Sequence, residues 1–144
     1  MHLTNDPILG LYALVASLVS LHLIVLAAYT GRVRTLHKTF VNPEDAAAFK
    51  GKGVEIEHPD VLRVKRAHMN ALENAVPFLA IGLLYALSGP SKVGAQAYFF
   101  TYLGARVLHS IFYLAQKQPF RTITFAIGAL ACTGMAVHVI RTVI

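Results

Sequence analysis

Tryptophan is absent from the 144 residues, cysteine occurs once, and acids are outnumbered: seven Asp and Glu against thirteen Lys and Arg. A single cysteine, Cys132, excludes an internal disulfide and any multi-thiolate metal centre. It lies in an apolar run with no cation near it in sequence, which predicts a small buried residue rather than a nucleophile. Charge of either sign is scarce, 14 % of residues where a soluble domain carries about a quarter. The basic excess of +6 invites a nucleic-acid reading. No stretch sets bases among stacking aromatics in polar surroundings, so nucleic acid is excluded as a partner. The first apolar stretch follows no basic segment and is too long for the core of a signal peptide.

What the chain does have is apolar length. Hydrophobic residues make up 56 % of it, and a helix needs about 20 largely apolar residues to cross the hydrocarbon core of a bilayer. Four spans meet or approach that length, at about 7–30, 62–87, 93–115 and 119–141. The reading is therefore an all-α integral membrane protein, one domain over 1–144, built as a four-transmembrane-helix bundle. Only the connection 31–61 is long and polar. Within it, "NPEDAAAF" has the marks of a helix start, with Asn42 before Pro43 and two acids in the first turn. "SGPSK" and "QKQP" are tight turns, the second ending in a proline suited to start a helix. Lysine and arginine concentrate between Arg32 and Arg66, which predicts that the first and third connections face the cytosol.

The second span carries a puzzle. Its uncharged part, Ala75–Leu87, is too short to cross, so Asn70 and Glu73 must lie at membrane depth. Glu73 sits roughly 21 Å, and Arg106 of the third span roughly 20 Å, from the non-cytosolic ends of their helices at 1.5 Å per residue. Arg66, Asn70 and Glu73 share one helical face by their i, i+4, i+7 spacing, and Arg106, His109 and Tyr113 share another. Both stripes run towards Arg121 and Thr122 at the start of the fourth span. A charge facing lipid costs at least about 2.5 kcal/mol, so these groups turn inwards. A purely structural Glu73–Arg106 ion pair would satisfy two of them. The remaining positive charge calls for an anion. Pro77 deprives the Glu73 carbonyl of its helical partner, which gives either a tolerated kink or a turn aimed at a cavity. His2, His22, His37, His58 and His138 show no ligand spacing among themselves, so no metal site is expected and interfacial or solvent-facing roles are assigned to them.

"RVKRAHMNALENAVPFLAIGLLYALSGP" closely resembles the second span of the MAPEG family, membrane-associated proteins of eicosanoid and glutathione metabolism. The likeness extends to "GRVRTLHKTFVNPEDA", "GARVLHSIFYL" and "PFRTITF", and its nearest branch is that of microsomal glutathione transferase and microsomal prostaglandin E synthase. The resemblance implies a homotrimer with glutathione bound between subunits in the cytosolic half of the membrane. Carried over by position, Arg34 would reach glutathione from the adjacent subunit. Arg66, Asn70, Glu73, Arg106, His109 and Tyr113 would bind it, Arg121 and Thr122 would stand nearest the sulfur, and Asp45 would assist there. Met69, Ala71 and Phe125 depart from the prostaglandin synthase version of these motifs. The implied activity is conjugation of glutathione to lipophilic electrophiles, with reduction of lipid hydroperoxides. A prostaglandin-type isomerase and a non-catalytic glutathione- or lipid-binding membrane subunit are the alternatives. The compact chain points to a bacterial inner membrane, or to the endoplasmic reticulum in a eukaryote.

Overall fold

A computed structural model of the chain describes residues 6–144; His2 lies outside them. In chain order the elements are α1 (Pro7–His37), β1 (Thr39–Phe40), α2 (Pro43–Ala48), β2 (Lys52–Gly53), α3 (Pro59–Leu87), α4 (Lys92–Leu114) and α5 (Phe120–Val143). Asp6 starts α1 by accepting hydrogen bonds from the amides of Ile8 and Leu9, at 2.8 and 3.0 Å, with Pro7 in the first helical position where its missing N–H is harmless. The helix continues past residue 30 to His37 because Val33 is buried against Val61 and Val64. It ends at Lys38, whose φ of 51° is left-handed. Ser91 caps α4 through Gly94 N–H. Asn42 caps α2 by position alone, since its side chain bonds Asp45 instead.

Three helices, α1, α3 and α5, are long and apolar enough to cross a membrane. α4 carries Arg106 and His109, which lower its apolarity, and it packs against all three others. Its polar groups are turned inwards: Arg106, His109 and Ser110 are all buried. Small residues make this packing close. A Cβ on Gly128 of α5 would stand 2.9 Å from Arg106 Cδ, and one on Gly134 would stand 2.5 Å from the ring of Tyr98. In membranes, where lipid is as apolar as leucine, such close backbone approach is the main source of helix association.

The core lies towards the end remote from the long connection, where Phe78, Tyr85, Phe99, Tyr102, Val15 and Met135 pack together. Phe78 and Tyr102 stack with ring centroids 3.9 Å apart. Around Pro77 the carbonyls of α3 are served by hydroxyls from its neighbours. Tyr102 of α4 donates to Asn74 O and Tyr12 of α1 donates to Leu79 O, both at 2.7 Å. These bonds hold α3 on both sides of Pro77, although neither reaches the Glu73 carbonyl that the proline leaves without its helical partner.

Two histidines assigned to interface or solvent are partly buried and meet neighbouring helices instead. His22 Nε2 bonds Ser110 Oγ at 2.9 Å, joining α1 to α4. His138 packs edge-on against Tyr85 at 4.9 Å, and its Nε2 is buried. Each sits on an apolar helix whose sequence gives no sign of the polar or aromatic partner across the bundle.

Candidate functional site

At the end of the bundle nearest the long connection, α3, α4 and α5 enclose a strongly basic recess. One cavity of about 260 Å³ is lined by Arg63, Arg66, Tyr113, Gln116, Lys117, Gln118 and Arg121. A second, of about 220 Å³, is lined by Asn70, His109, Tyr113, Arg121, Thr122 and Phe125. Tyr113 and Arg121 line both, so the two adjoin. Four cations and no carboxylate face the first cavity. Seven of the site residues read from sequence converge on this place: Arg66, Asn70, Arg106, His109, Tyr113, Arg121 and Thr122.

Arg106 lies behind the wall of the second cavity and lines neither. Its Nη2 donates to Asn70 Oδ1 at 2.8 Å, and its guanidinium carbon lies 5.4 Å from the centroid of the Phe125 ring. Nε and Nη1 are buried and find no hydrogen-bond partner among the described residues. No carboxylate pairs with this cation. Leaving a buried donor unmet costs about 1–3 kcal/mol, more for a charged group.

His109 has a defined tautomer. Its Nδ1 stands 2.8 Å from the carbonyl of Arg121, and a carbonyl only accepts, so Nδ1 carries the proton and Nε2 is left as an acceptor. That Nε2 is buried and unmet among the described residues. The bond also fixes the first turn of α5 to α4. Arg121 lies over the Tyr113 ring at 4.8 Å, a cation–π contact. The Gln118 amide, turned with its oxygen to the guanidinium, accepts from Arg121 Nη2 at 2.8 Å and donates to Thr122 Oγ1 at 3.1 Å. Gln118 thereby holds both residues that open α5.

Three expected site residues stand apart from the recess. Glu73 is exposed on the outer face of α3 and forms no ion pair; Arg106 reaches Asn70, one turn away, so the Glu73–Arg106 bridge does not form. Arg34 turns to its own chain. Its Nε donates to Glu57 Oε1 at 2.9 Å, and Lys65 Nζ donates to Glu57 Oε2 at 2.8 Å. Burial alone would raise the Glu57 carboxyl, but the hydrogen bonds and charges of Lys65 and Arg34 outweigh it and hold the group below the usual carboxylate range. Asp45 accepts from Asn42 Nδ2 at 3.1 Å and lines neither cavity. Sequence reasoning also missed Arg63, Gln118 and Glu57. Arg63 had a signal, since it precedes Arg66 by three residues and shares its face. Gln118 read only as part of a turn, and Glu57 had no visible partner.

The chain is similar to characterised membrane enzymes along nearly its whole length. It is 39 % identical over 145 residues to "Microsomal glutathione S-transferase 1" of Rattus norvegicus, covering 96 % of this chain and 93 % of that one. The human protein of the same name is 38 % identical over 143 residues, with 95 % and 92 % covered. Human "Prostaglandin E synthase" is 36 % identical over 137 residues, with 94 % and 90 % covered. The model of the MAPEG family matches residues 12–141. With its basic recess at one end of an apolar helical bundle and these likenesses across its length, the chain belongs to the MAPEG family.

Proposed function

We propose that this protein is a membrane-bound glutathione transferase, which joins the glutathione thiolate to lipophilic electrophiles and also reduces lipid hydroperoxides. One observation carries the reading: a recess lined by four cations, Arg63, Arg66, Lys117 and Arg121, with the buried Arg106 guanidinium, two of its donors without a partner among the described residues, bonded to Asn70 in the wall of the adjoining cavity. The relatives named as glutathione transferases supply the identity of the anion. Glutathione brings two carboxylates, an ammonium and a thiol. Arg66 and Arg106 take carboxylates through paired N–H donors. His109 Nε2, an acceptor, takes an N–H of the peptide. Arg121 is a permanent cation in the first turn of α5, where the helix dipole also favours an anion. Together with the Thr122 hydroxyl it holds the sulfur as thiolate. Lowering the thiol pKa by two units there corresponds to about 2.7 kcal/mol.

In conjugation, the thiol proton passes to water, the sulfur lone pair attacks the activated carbon, and the leaving group departs with its bonding pair. In hydroperoxide reduction, the sulfur attacks the distal oxygen, the O–O bond breaks and an alcohol leaves. A second glutathione then converts the resulting sulfenic acid to the disulfide and water. Phe125 and the bilayer supply the apolar side of the site.

The assembly belongs to the same proposal. The Arg66–Asn70–Glu73 face is at least partly open in a single chain, as a face that meets a neighbour would be. In a homotrimer Glu73 would complete the site from that face by taking the ammonium. Arg34, once released from Glu57, would reach a neighbour's ligand, and Asp45 would assist at sulfur. The recess faces the cytosol, in a bacterial inner membrane or the endoplasmic reticulum of a eukaryote.

Purified protein in detergent should conjugate chlorodinitrobenzene and reduce cumene hydroperoxide with glutathione. Arg121→Ala should lose the thiolate absorbance while oligomeric size is kept. Binding of glutathione with neither activity would leave a binding protein instead. Isomerisation of a prostaglandin endoperoxide without conjugation would assign the isomerase, against which Met69, Ala71 and Phe125 weigh.

A further inference from the structure

Where the end of α1 meets the start of α3, three side chains gather that have no part in the glutathione reading. His37 is the last residue of α1, His58 caps α3, and Asp60 stands in the first turn of α3. One ligand-type atom from each lies within 4.8 Å of the other two. His37 Nε2 is 3.4 Å, and His58 Nδ1 3.6 Å, from Asp60 Oδ2. Good N–H···O bonds centre near 2.9–3.0 Å, so these contacts are long for hydrogen bonds. These two separations, with the third held within 4.8 Å, are also close to what a shared metal ion requires. Ligands about 2.0–2.2 Å from a tetrahedral zinc ion stand about 3.3–3.6 Å apart along the edge of the tetrahedron.

The two imidazoles stack with centroids 3.6 Å apart and planes 14° from parallel. His58 Nδ1 already accepts the Asp60 N–H at 3.3 Å as the cap of α3, so the His58 ring must turn and release that amide for both imidazoles to point lone pairs at one ion. The site has room for that: the side chains of His37, His58 and Asp60 are 32, 37 and 52 % exposed. The same exposure admits an ion from water and leaves a position for a water ligand. The negative end of the α1 dipole favours a cation here and the Asp60 carboxylate adds to it, while the positive end of the α3 dipole and Arg63, lining the same cavity as His37 and Asp60, oppose it. Two imidazoles and a carboxylate are a donor set suited to zinc and similar divalent ions.

We propose that His37, His58 and Asp60 form a divalent transition-metal site of the zinc type, completed by water, that joins the end of α1 to the start of α3 beneath the long connection. The residues are 21 apart at the histidines, so only folding of the connection brings them together. The site's cavity adjoins the glutathione recess through Arg63 and Gln116, but none of its three ligand residues lines that recess, and its test uses no turnover.

The test uses tag-free, full-length protein in detergent, freed of glutathione, which would itself bind zinc. Calorimetric titration with Zn²⁺ should give one ion per chain with micromolar affinity. His37→Gln and His58→Asn should each weaken binding at least tenfold; asparagine preserves the N-cap. Cys132→Ser should leave it unchanged. In the unaltered protein Co²⁺ should give ligand-field absorbance without a thiolate charge-transfer band, a readout that does not depend on any variant folding. Absence of saturable binding would overturn the proposal. So would a thiolate band, or wild-type affinity in a doubly substituted protein of normal helicity and size.

Discussion

Replacing Arg106 with methionine should move stability and ligand affinity in opposite directions. Methionine keeps an unbranched stem against Gly128, whose missing Cβ makes room 2.9 Å from Arg106 Cδ. It removes two buried donors that have no partner among the described residues, each worth roughly 1–3 kcal/mol of penalty. It also forfeits the bond to Asn70 Oδ1 at 2.8 Å, worth about 1.5–3 kcal/mol for a charged donor. Asn70 is only partly buried, so its freed oxygen can meet water. The two gains, together about 2–6 kcal/mol, match or outweigh the one loss of about 1.5–3 kcal/mol, and the unliganded variant should be as stable as the parent or up to about 3 kcal/mol more stable, within the range seen when buried ions give way to apolar residues. Glutathione affinity should behave otherwise. Removing one partner of a buried charge pair costs about 2–5 kcal/mol, which is roughly 30-fold or more in Kd. Thermal or SDS-driven unfolding in detergent, with glutathione binding by calorimetry on the same sample, reads both. A variant that is clearly destabilised yet binds glutathione normally would make Arg106 a structural residue and refute the reasoning.

Other outcomes follow from the same contacts. Glu57 has a carboxyl held below its ordinary range, so its contribution to stability is complete above the usual glutamate pKa and is lost as pH falls through the depressed one. Melting followed from neutral to acid pH should show that loss, and Glu57→Gln should remove it while lowering neutral-pH stability by about 1.5–3 kcal/mol. Gly134→Ala should destabilise by about 1–3 kcal/mol through overpacking, because the new Cβ would stand 2.5 Å from Tyr98 Cε1; specific conjugation per folded molecule should be retained. Gln118→Leu, which removes the acceptor from Arg121 and the donor to Thr122, should raise the pKa of bound glutathione in an absorbance titration while leaving oligomeric size unchanged.

Much of this arrangement is legible in the sequence because a bilayer enforces it. A charge at membrane depth facing lipid is costly, so the spacing of Arg106 with His109 marks the face of α4 that turns inwards, whereas Arg66 and Glu73 on α3 stay exposed in the single chain. Depth follows from helix rise, although it brings Arg106 level with Asn70 rather than Glu73. What the pattern hides is pairing across elements. Arg34 bonds Glu57, and His37 meets His58, only because the connection folds back through β1, α2 and β2. Long polar side chains there have several partners within reach, and no periodicity selects among them. The inward histidines failed for a related reason. His22 and His138 each lie on a helix of nearly uniform apolarity, which does not mark one face as the inner one.

The most direct measurement compares glutathione with its dimethyl ester as ligands of the purified protein. The recess lined by Arg63, Arg66, Lys117 and Arg121 predicts saturable heat for glutathione and binding at least a hundredfold weaker for the ester, whose esterified carboxyl groups carry no charge. Equal binding of the two, or no heat from either, would contradict it.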